Sequence, residues 1–173
     1  ETSKTVPPVP PMPRSSIASF AEWSSWVDEE VQRAGRYKQQ FALLWLQISN
    51  WPEVAARLDS DDVRRVSTAI RAQVRRCCRA MDKIAVLSDS TLPGLHFLIL
   101  MPHTGERGEK VGQRWQNLCR PDKLGLPADA AADGLQTRYA TAVFPDDGKK
   151  TEDLFRALGT QIQAHLPPDG GAE

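Results

Sequence analysis

The spacing of apolar residues changes several times along this chain, and each change marks a predicted boundary between a helix and a strand. A first helix is predicted to follow a cap at Ser15 or Ser16. Its apolar stripe recurs at helical spacing and consists of Phe20, Trp23, Val27 and Val31. The almost wholly apolar run 41–48 comes next and is typical of a central strand that is buried on both faces.

The middle of the chain predicts two helices followed by a hairpin. Asn50 and Pro52 interrupt the apolar run and start a short helix, and a second helix extends to about Met81. The stripe of this second helix consists of Val63, Val66, Ile70, Val74 and Cys78. The apolar runs 83–87 and 95–101 then form the paired strands of the hairpin, and a Pro-Gly turn joins them.

The last third of the chain predicts a helix at 106–118, a strand at 137–144 and a closing helix at 152–165. A loop at 120–134, rich in Ala, Asp and Gly, separates the first of these helices from the strand. A strand-helix-strand order with an inserted hairpin predicts a central sheet covered by helices, which is an α+β fold.

Composition narrows the class of protein. The 173 residues suffice for one domain, and a 40% hydrophobic share is enough for a core. Lys plus Arg and Asp plus Glu number 22 each, so the chain has no excess of positive charge that would indicate binding to DNA. No apolar run approaches the ~20 residues of a membrane span. Cys77, Cys78 and Cys119 fit neither a disulfide framework nor a zinc site. We therefore expect reduced thiols in a cytoplasmic domain without direct membrane insertion.

Both ends of the chain are predicted to lie outside the folded domain. Residues 1–14 are rich in proline and are expected to be an extended linker from an upstream domain. Residues 167–173 are rich in Pro and Gly and are expected to be a flexible tail. The folded domain is placed at 15–166, and because the chain opens on Glu1 we expect it to be a piece of a longer protein.

Four segments with distinctive residues follow one another along the chain. They are the strand and turn 41–49, the motif Arg79-Ala-Met-Asp82, the run 97–102 that ends in Pro, and the strand and turn 139–148. In this order they resemble the GGDEF domains of diguanylate cyclases, from about Phe20 to about His165. The resemblance implies an α/β sandwich in which helices flank a central, mainly antiparallel sheet, as in nucleotide cyclases.

The residues that serve catalysis in this family are changed here. The family holds two divalent cations with carboxylates on the first strand and in the signature turn. The two first-strand positions match Gln47 and Ser49, whose side chains carry no charge. The signature matches 93–97, where only Gly94 and Phe97 echo the family pattern.

Further departures agree with this loss. The substrate-binding asparagine of the family matches Ala55 or Ala56, and the hairpin is longer than usual. Asp89 by itself would be a weak metal site. The resemblance therefore implies a degenerate domain that is not an enzyme and needs neither a metal nor a cofactor.

One ligand-binding motif of the family is retained. Arg79-x-x-Asp82 matches the inhibitory site, where an arginine fork meets the O6 and N7 atoms of guanine and a carboxylate accepts from N1 and N2. The resemblance implies that this site binds cyclic di-GMP, with Arg114 from the following helix as a further ligand and Arg75 and Arg76 as phosphate contacts. The alternatives are an ordinary surface pair for Arg79 and Asp82, and a solvated helix face for Arg114.

The leading hypothesis is a receptor that regulates a partner when cyclic di-GMP binds. Similar degenerate GGDEF domains occur among regulators of exopolysaccharide secretion of the BcsE and PelD kind, which implies a role in biofilm signalling. The partner would be the upstream domain or a protein of a secretion complex, and a homodimer is left open. The alternative hypothesis is a protein-interaction or dimerisation module that binds no nucleotide.

Overall fold

The computed structural model describes residues 18–87, 94–130, 132 and 134–164. The predicted linker, the tail, the expected caps Ser15 and Ser16, and most of the hairpin turn lie outside these residues. The helices are α1 (Phe20–Tyr37), α2 (Trp51–Ala56), α3 (Ser60–Cys77), α4 (Arg107–Leu118), α5 (Pro121–Leu124) and α6 (Thr151–Ala164). The strands are β1 (Phe41–Ile48), β2 (Lys83–Val86), β3 (Leu95–Met101) and β4 (Thr137–Phe144).

The strands form one sheet in the order β2-β3-β1-β4. Each neighbouring pair of strands is antiparallel. The apolar strand β1 lies between β3 and β4, and seven of its eight residues are buried. The predicted α+β architecture, with an antiparallel sheet flanked by helices, is confirmed. The run of β1 is apolar at odd and even positions alike because both faces of this strand are covered.

Helices cover both faces of the sheet. On one face, even-numbered residues of β1 such as Leu44 and Leu46 pack with Val66 and Ile70 of α3 and with Trp115 of α4. On the other face, odd-numbered residues of β1 pack with α1 and α6. The two apolar clusters form the core, and the sheet separates them.

The first helix begins later than the sequence predicts. Ser19 is its N-cap, and a capping box joins the side chains and backbone of Ser19 and Glu22. The side chains of Trp23 and Val27 are fully buried, as expected, whereas Phe20 is 42% exposed. The predicted cap at Ser15 or Ser16 was wrong because the reciprocal Ser19–Glu22 pair satisfies the first free N–H groups of the helix.

The second long helix ends earlier than predicted, at Cys77 rather than near Met81. Cys78 has φ −98° and ψ 151°, which is extended backbone. Consequently Cys77 lies in the core and Cys78 is only partly buried, which reverses the predicted assignment. The loop at 120–134 also contains the helix α5, which is too short to show helical periodicity in the sequence. Among the described residues, no helix is both long and apolar enough to cross a membrane.

Candidate functional site

The Arg79-x-x-Asp82 motif lies in the turn that joins α3 to β2. The backbone N–H of Arg79 donates to Oδ2 of Asp82 at 2.7 Å, and the N–H of Asp82 donates to the carbonyl of Arg79 at 3.0 Å. These two bonds offer the backbone an alternative to another helical turn, which explains the early end of α3. The side chain of Arg79 is exposed, and Asp82 is buried.

Arg107, in the first turn of α4, supplies the cation that pairs with Asp82. Its Nη1 donates to Oδ2 of Asp82 at 2.7 Å, and its Nη2 donates to the carbonyl of Cys77 at 3.1 Å. The side chain of Asp82 is fully buried, and that of Arg107 is 15% exposed. This ion pair ties the start of α4 to the end of α3, and removing one partner would leave a buried charge uncompensated.

A cleft of about 400 Å³ opens beside this ion pair. Its volume falls in the range of ~300–1,000 Å³ that is common for ligand sites. The residues of its walls come from the end of α3 and from the start and exposed face of α4. They are Cys77, Arg79, Thr104, Glu106, Arg107, Lys110, Val111 and Arg114.

The cleft brings together two of the predicted ligand residues. Arg79 and Arg114 both line it, although they belong to different elements and lie far apart in sequence. Asp82 is not part of its wall, because its carboxylate lies buried behind Arg107. Arg75 and Arg76 are exposed on α3 and do not line the cleft.

Two basic residues of the site, Arg107 and Lys110, were missed by the sequence reasoning. Arg107 follows Asp82 by 25 positions, so no local spacing links them. Lys110 lies one turn after Arg107 and one turn before Arg114, which places all three on one face of α4. A periodic row of basic residues on α4 is the signal that could have found them, but such rows are usually solvated.

Positive charge dominates the walls of the cleft. Four of the lining side chains are basic, and Glu106 is the acidic one. Burial raises the pKa of the Cys77 thiol at the cleft wall, while the nearby charges of Arg114, Arg107 and Arg76 pull that pKa down. The walls therefore offer guanidinium and ammonium donors to an anion, and guanidinium groups can also bind planar acceptors in a fork.

A second region contains the positions that the family resemblance matches to metal ligands. Gln47, near the end of β1, lies opposite His96 of β3 on one side and Arg138 of β4 on the other. Gln47 is 1% exposed and His96 is fully buried. The indole Nε1 of Trp45 donates to Nδ1 of His96 at 3.1 Å. This row across the sheet consists of an amide, an imidazole and a guanidinium.

The neighbouring Ser49 and Gly94 lie at the same end of the sheet. The hydroxyl of Ser49 donates to the carbonyl of Gln136 at 3.3 Å. Gly94 has φ +115°, and a Cβ there would overlap the carbonyl oxygen of Ile48 and lie 3.0 Å from Cα of Ser49. Glycine is thus required just before β3, where the chain passes closely against the end of β1.

In the part of the chain that the structure describes, no group of three or more His, Cys, Asp and Glu side chains is arranged to hold a metal ion.

Solved structures of GGDEF domains have the same fold as this chain. The GGDEF domain of TpbB (YfiN) from Pseudomonas aeruginosa has a TM-score of 0.69 and 15% identity, over 88% of this chain and 86% of that chain. The active GGEEF domain of a diguanylate cyclase from Vibrio cholerae has a TM-score of 0.69 and 10% identity, over 86% of this chain and 91% of that chain. The FimX GGDEF domain from Pseudomonas aeruginosa has a TM-score of 0.68 and 13% identity, over 88% and 91%.

The likeness to GGDEF domains is visible in the structure but not in comparisons of sequence. No family model matches the chain, and no curated protein matches it. The structural likeness spans nearly the whole described domain at identities of 10–15%. The chain therefore has the fold of GGDEF domains.

Proposed function

We propose that this domain is a catalytically inactive receptor for cyclic di-GMP that binds its ligand in the basic cleft at the end of α3. The observation that carries the proposal is the convergence of Arg79, Arg107 and Arg114 on one cleft of about 400 Å³. These residues come from the retained Arg-x-x-Asp turn and from one face of α4.

The chemistry of the cleft suits this ligand. Cyclic di-GMP presents two guanines and two phosphodiester groups, so it offers planar acceptor edges and negative charge together. Arginine donates in a fork to the O6 and N7 acceptors of guanine. Lys110 adds a compact positive charge for a phosphate.

The residues at the former metal positions support the proposal of inactivity. Gln47 and Ser49 replace carboxylates with neutral groups, and Ser49 is bonded to the backbone of Gln136. Hard divalent cations favour charged oxygen ligands, so these substitutions weaken the site that cyclisation needs.

We propose that another protein or domain recognises the ligand-bound state. The cleft lies at the junction of α3, β2 and α4, so an occupied cleft alters the charge and shape of that junction. We propose that an upstream domain or a protein of an exopolysaccharide secretion system responds to this change in the cytoplasm. A homodimer would be a further way to read it.

Calorimetric titration of cyclic di-GMP into the wild type and the Arg79→Ala variant tests the proposal. We expect micromolar or tighter binding by the wild type and a loss of at least tenfold in Arg79→Ala, because the exposed guanidinium would lose its contacts with guanine. Arg71→Ala, an exposed arginine of α3 that does not line the cleft, is the matched control and should bind like the wild type.

Two results would count against a receptor of this kind. Absence of binding heat and of a thermal shift with the wild type would leave the nucleotide-independent interaction module as the working hypothesis. Equal losses of affinity in Arg79→Ala and Arg71→Ala would mean that binding depends on the overall positive charge around α3 and not on the cleft.

A further inference from the structure

We propose that Asp82 does not touch the ligand but positions Arg107, and that Arg107 is a ligand-contacting residue of the cleft. This inference rests on the proposed function. It changes the role that the family resemblance implies for Asp82, namely that its carboxylate accepts from the guanine edge. Its basis is the contact between the two side chains across the junction of α3 and α4.

Access is the first reason. The side chain of Asp82 has no exposed surface, and Asp82 is not among the residues that line the cleft. Its Oδ2 accepts at 2.7 Å both from Nη1 of Arg107 and from the backbone N–H of Arg79. Its Oδ1 has no hydrogen-bond partner among the described residues, but that atom is buried as well. A guanine in the cleft meets Arg107 before it can reach this carboxylate.

The remaining donors of Arg107 are the second reason. A guanidinium has five N–H groups, and here one on Nη1 and one on Nη2 are used by Asp82 and the carbonyl of Cys77. The other N–H groups stay available on a side chain that lines the cleft. Two anchors fix the plane of the guanidinium, which reduces the conformational entropy that Arg107 loses when it binds a ligand.

Charge gives the third reason and makes the inference testable. The carboxylate of Asp82 neutralises Arg107, so without Arg107 it would repel the phosphates of the ligand. Asparagine at position 82 can still accept from the backbone N–H of Arg79, so if Asp82 acts only through Arg107, this substitution cannot weaken binding once Arg107 has been removed. If Asp82 itself accepts from guanine, its removal weakens binding in either background.

A double-mutant cycle with Asp82→Asn, Arg107→Gln and the double variant distinguishes these roles, with cyclic di-GMP affinity measured by calorimetry. Glutamine at position 107 keeps a donor for the buried carboxylate but no charge, so thermal unfolding of each variant checks that the fold is retained. We expect Asp82→Asn to weaken binding about threefold to tenfold and Arg107→Gln at least tenfold. In the Arg107→Gln background, Asp82→Asn should leave the affinity unchanged or raise it.

Rescue by a conservative variant separates a positioning role from a merely structural one. Arg107→Lys keeps the charge for Asp82 but loses the fork, so it should fold like the wild type and still bind at least fivefold more weakly. A further loss of threefold or more on adding Asp82→Asn to Arg107→Gln would overturn the inference while leaving the receptor intact. Wild-type affinity in both Arg107→Gln and Arg107→Lys would overturn it too, and a wild type that binds no cyclic di-GMP would overturn the proposed function itself.

Discussion

Arg79 and Asp82 stand three positions apart, yet their side chains have opposite environments. The guanidinium of Arg79 is exposed at the cleft, whereas the carboxylate of Asp82 is buried against Arg107. A short motif of this kind specifies which groups are present, and the surrounding elements decide which group meets the ligand. At the scale of the residue, the motif supplies one arginine that lines the cleft and one buried carboxylate.

The buried thiols make the stability of the protein depend on pH. Burial raises the pKa of the Cys119 thiol from 9.0 to about 12, with a smaller increase from the nearby Cys77. Since the folded state favours the neutral thiol, Cys119 contributes stability that is fully present below pH 9 and is lost as the pH rises towards 12. The free energy of unfolding should therefore fall over this window, by at most about 1.4 kcal/mol per pH unit for one thiol.

Chemical denaturation at several pH values between 7 and 12 would measure this slope. Cys119→Ala loses packing at every pH, so the slopes and not the absolute stabilities are compared. The variant should lose stability less steeply above pH 9 than the wild type. Parallel curves for the two proteins would show that the thiol does not titrate in this way.

At the scale of the element, α4 depends on how closely it approaches the sheet. Gly112 is buried on α4 and faces the ring of Tyr139 on β4, and a Cβ at Gly112 would lie 2.6 Å from the ring Cγ. One turn to either side, the same helix carries Gly108 and Trp115 against the sheet. The close approach sets the position of α4 and hence the position of its basic residues at the cleft.

Substitution of Gly112 by alanine tests this dependence. Gly112→Ala should lower the free energy of unfolding by about 1–3 kcal/mol, because the partly buried ring of Tyr139 has to move. Gly159→Ala on α6 is the matched control, since among the described residues nothing beyond its chain neighbours and the backbone of its own helix lies within 4 Å of the added Cβ. That change should instead raise stability by about 0.5–1 kcal/mol through helix propensity.

Urea denaturation of both variants gives the comparison. If Gly112→Ala proved as harmless as Gly159→Ala, α4 would be free to shift away from β4. The position of the basic face of α4 would then not be fixed by this contact.

At the scale of the whole molecule, the sheet end around Gln47 and the basic cleft are two separate regions of the fold. The row across this sheet end consists of Gln47, His96 and Arg138, none of which is a carboxylate. The basic cleft lies elsewhere, at the junction of α3 and α4, and keeps a set of guanidinium donors. The lining of the cleft and this row have no side chain in common, so a change in one region does not require a change in the other.

This separation predicts the outcome of an enzymatic assay. Incubation with GTP and Mg²⁺ should give no cyclic di-GMP above background, because Gln47 and Ser49 supply no charged ligand for the cation. Chromatographic detection of the product is the measurement, with an active diguanylate cyclase under the same conditions as the control. Magnesium-dependent formation of cyclic di-GMP would contradict the proposed inactivity.

Strands and long helices were predictable from the sequence because their signals are local. The bounds of β1 and β4 agree with the apolar runs 41–48 and 137–144. The end of α3 was not predictable, since it depends on a side chain five residues beyond Cys77 that turns back to the Arg79 N–H. Helical periodicity contains no information about such a bond.

The candidate site was predictable in part. Arg79, Asp82 and Arg114 could be singled out from family landmarks, but the ion pair between Asp82 and Arg107 could not. Its members are 25 positions apart and belong to different elements, so only their packing brings them together.

By itself, the sequence determined the types and order of the principal elements, the buried central strand and the uncharged side chains of Gln47 and Ser49 at positions that the family resemblance matches to carboxylates. These features depend on local periodicity and on residue identity. Only the tertiary structure decided that Asp82 is buried, that Arg107 is its partner, and that Arg79, Lys110 and Arg114 share one cleft. The physical reason is that burial and electrostatic pairing depend on distances between elements, which the docking of α4 on β4 and against α3 establishes.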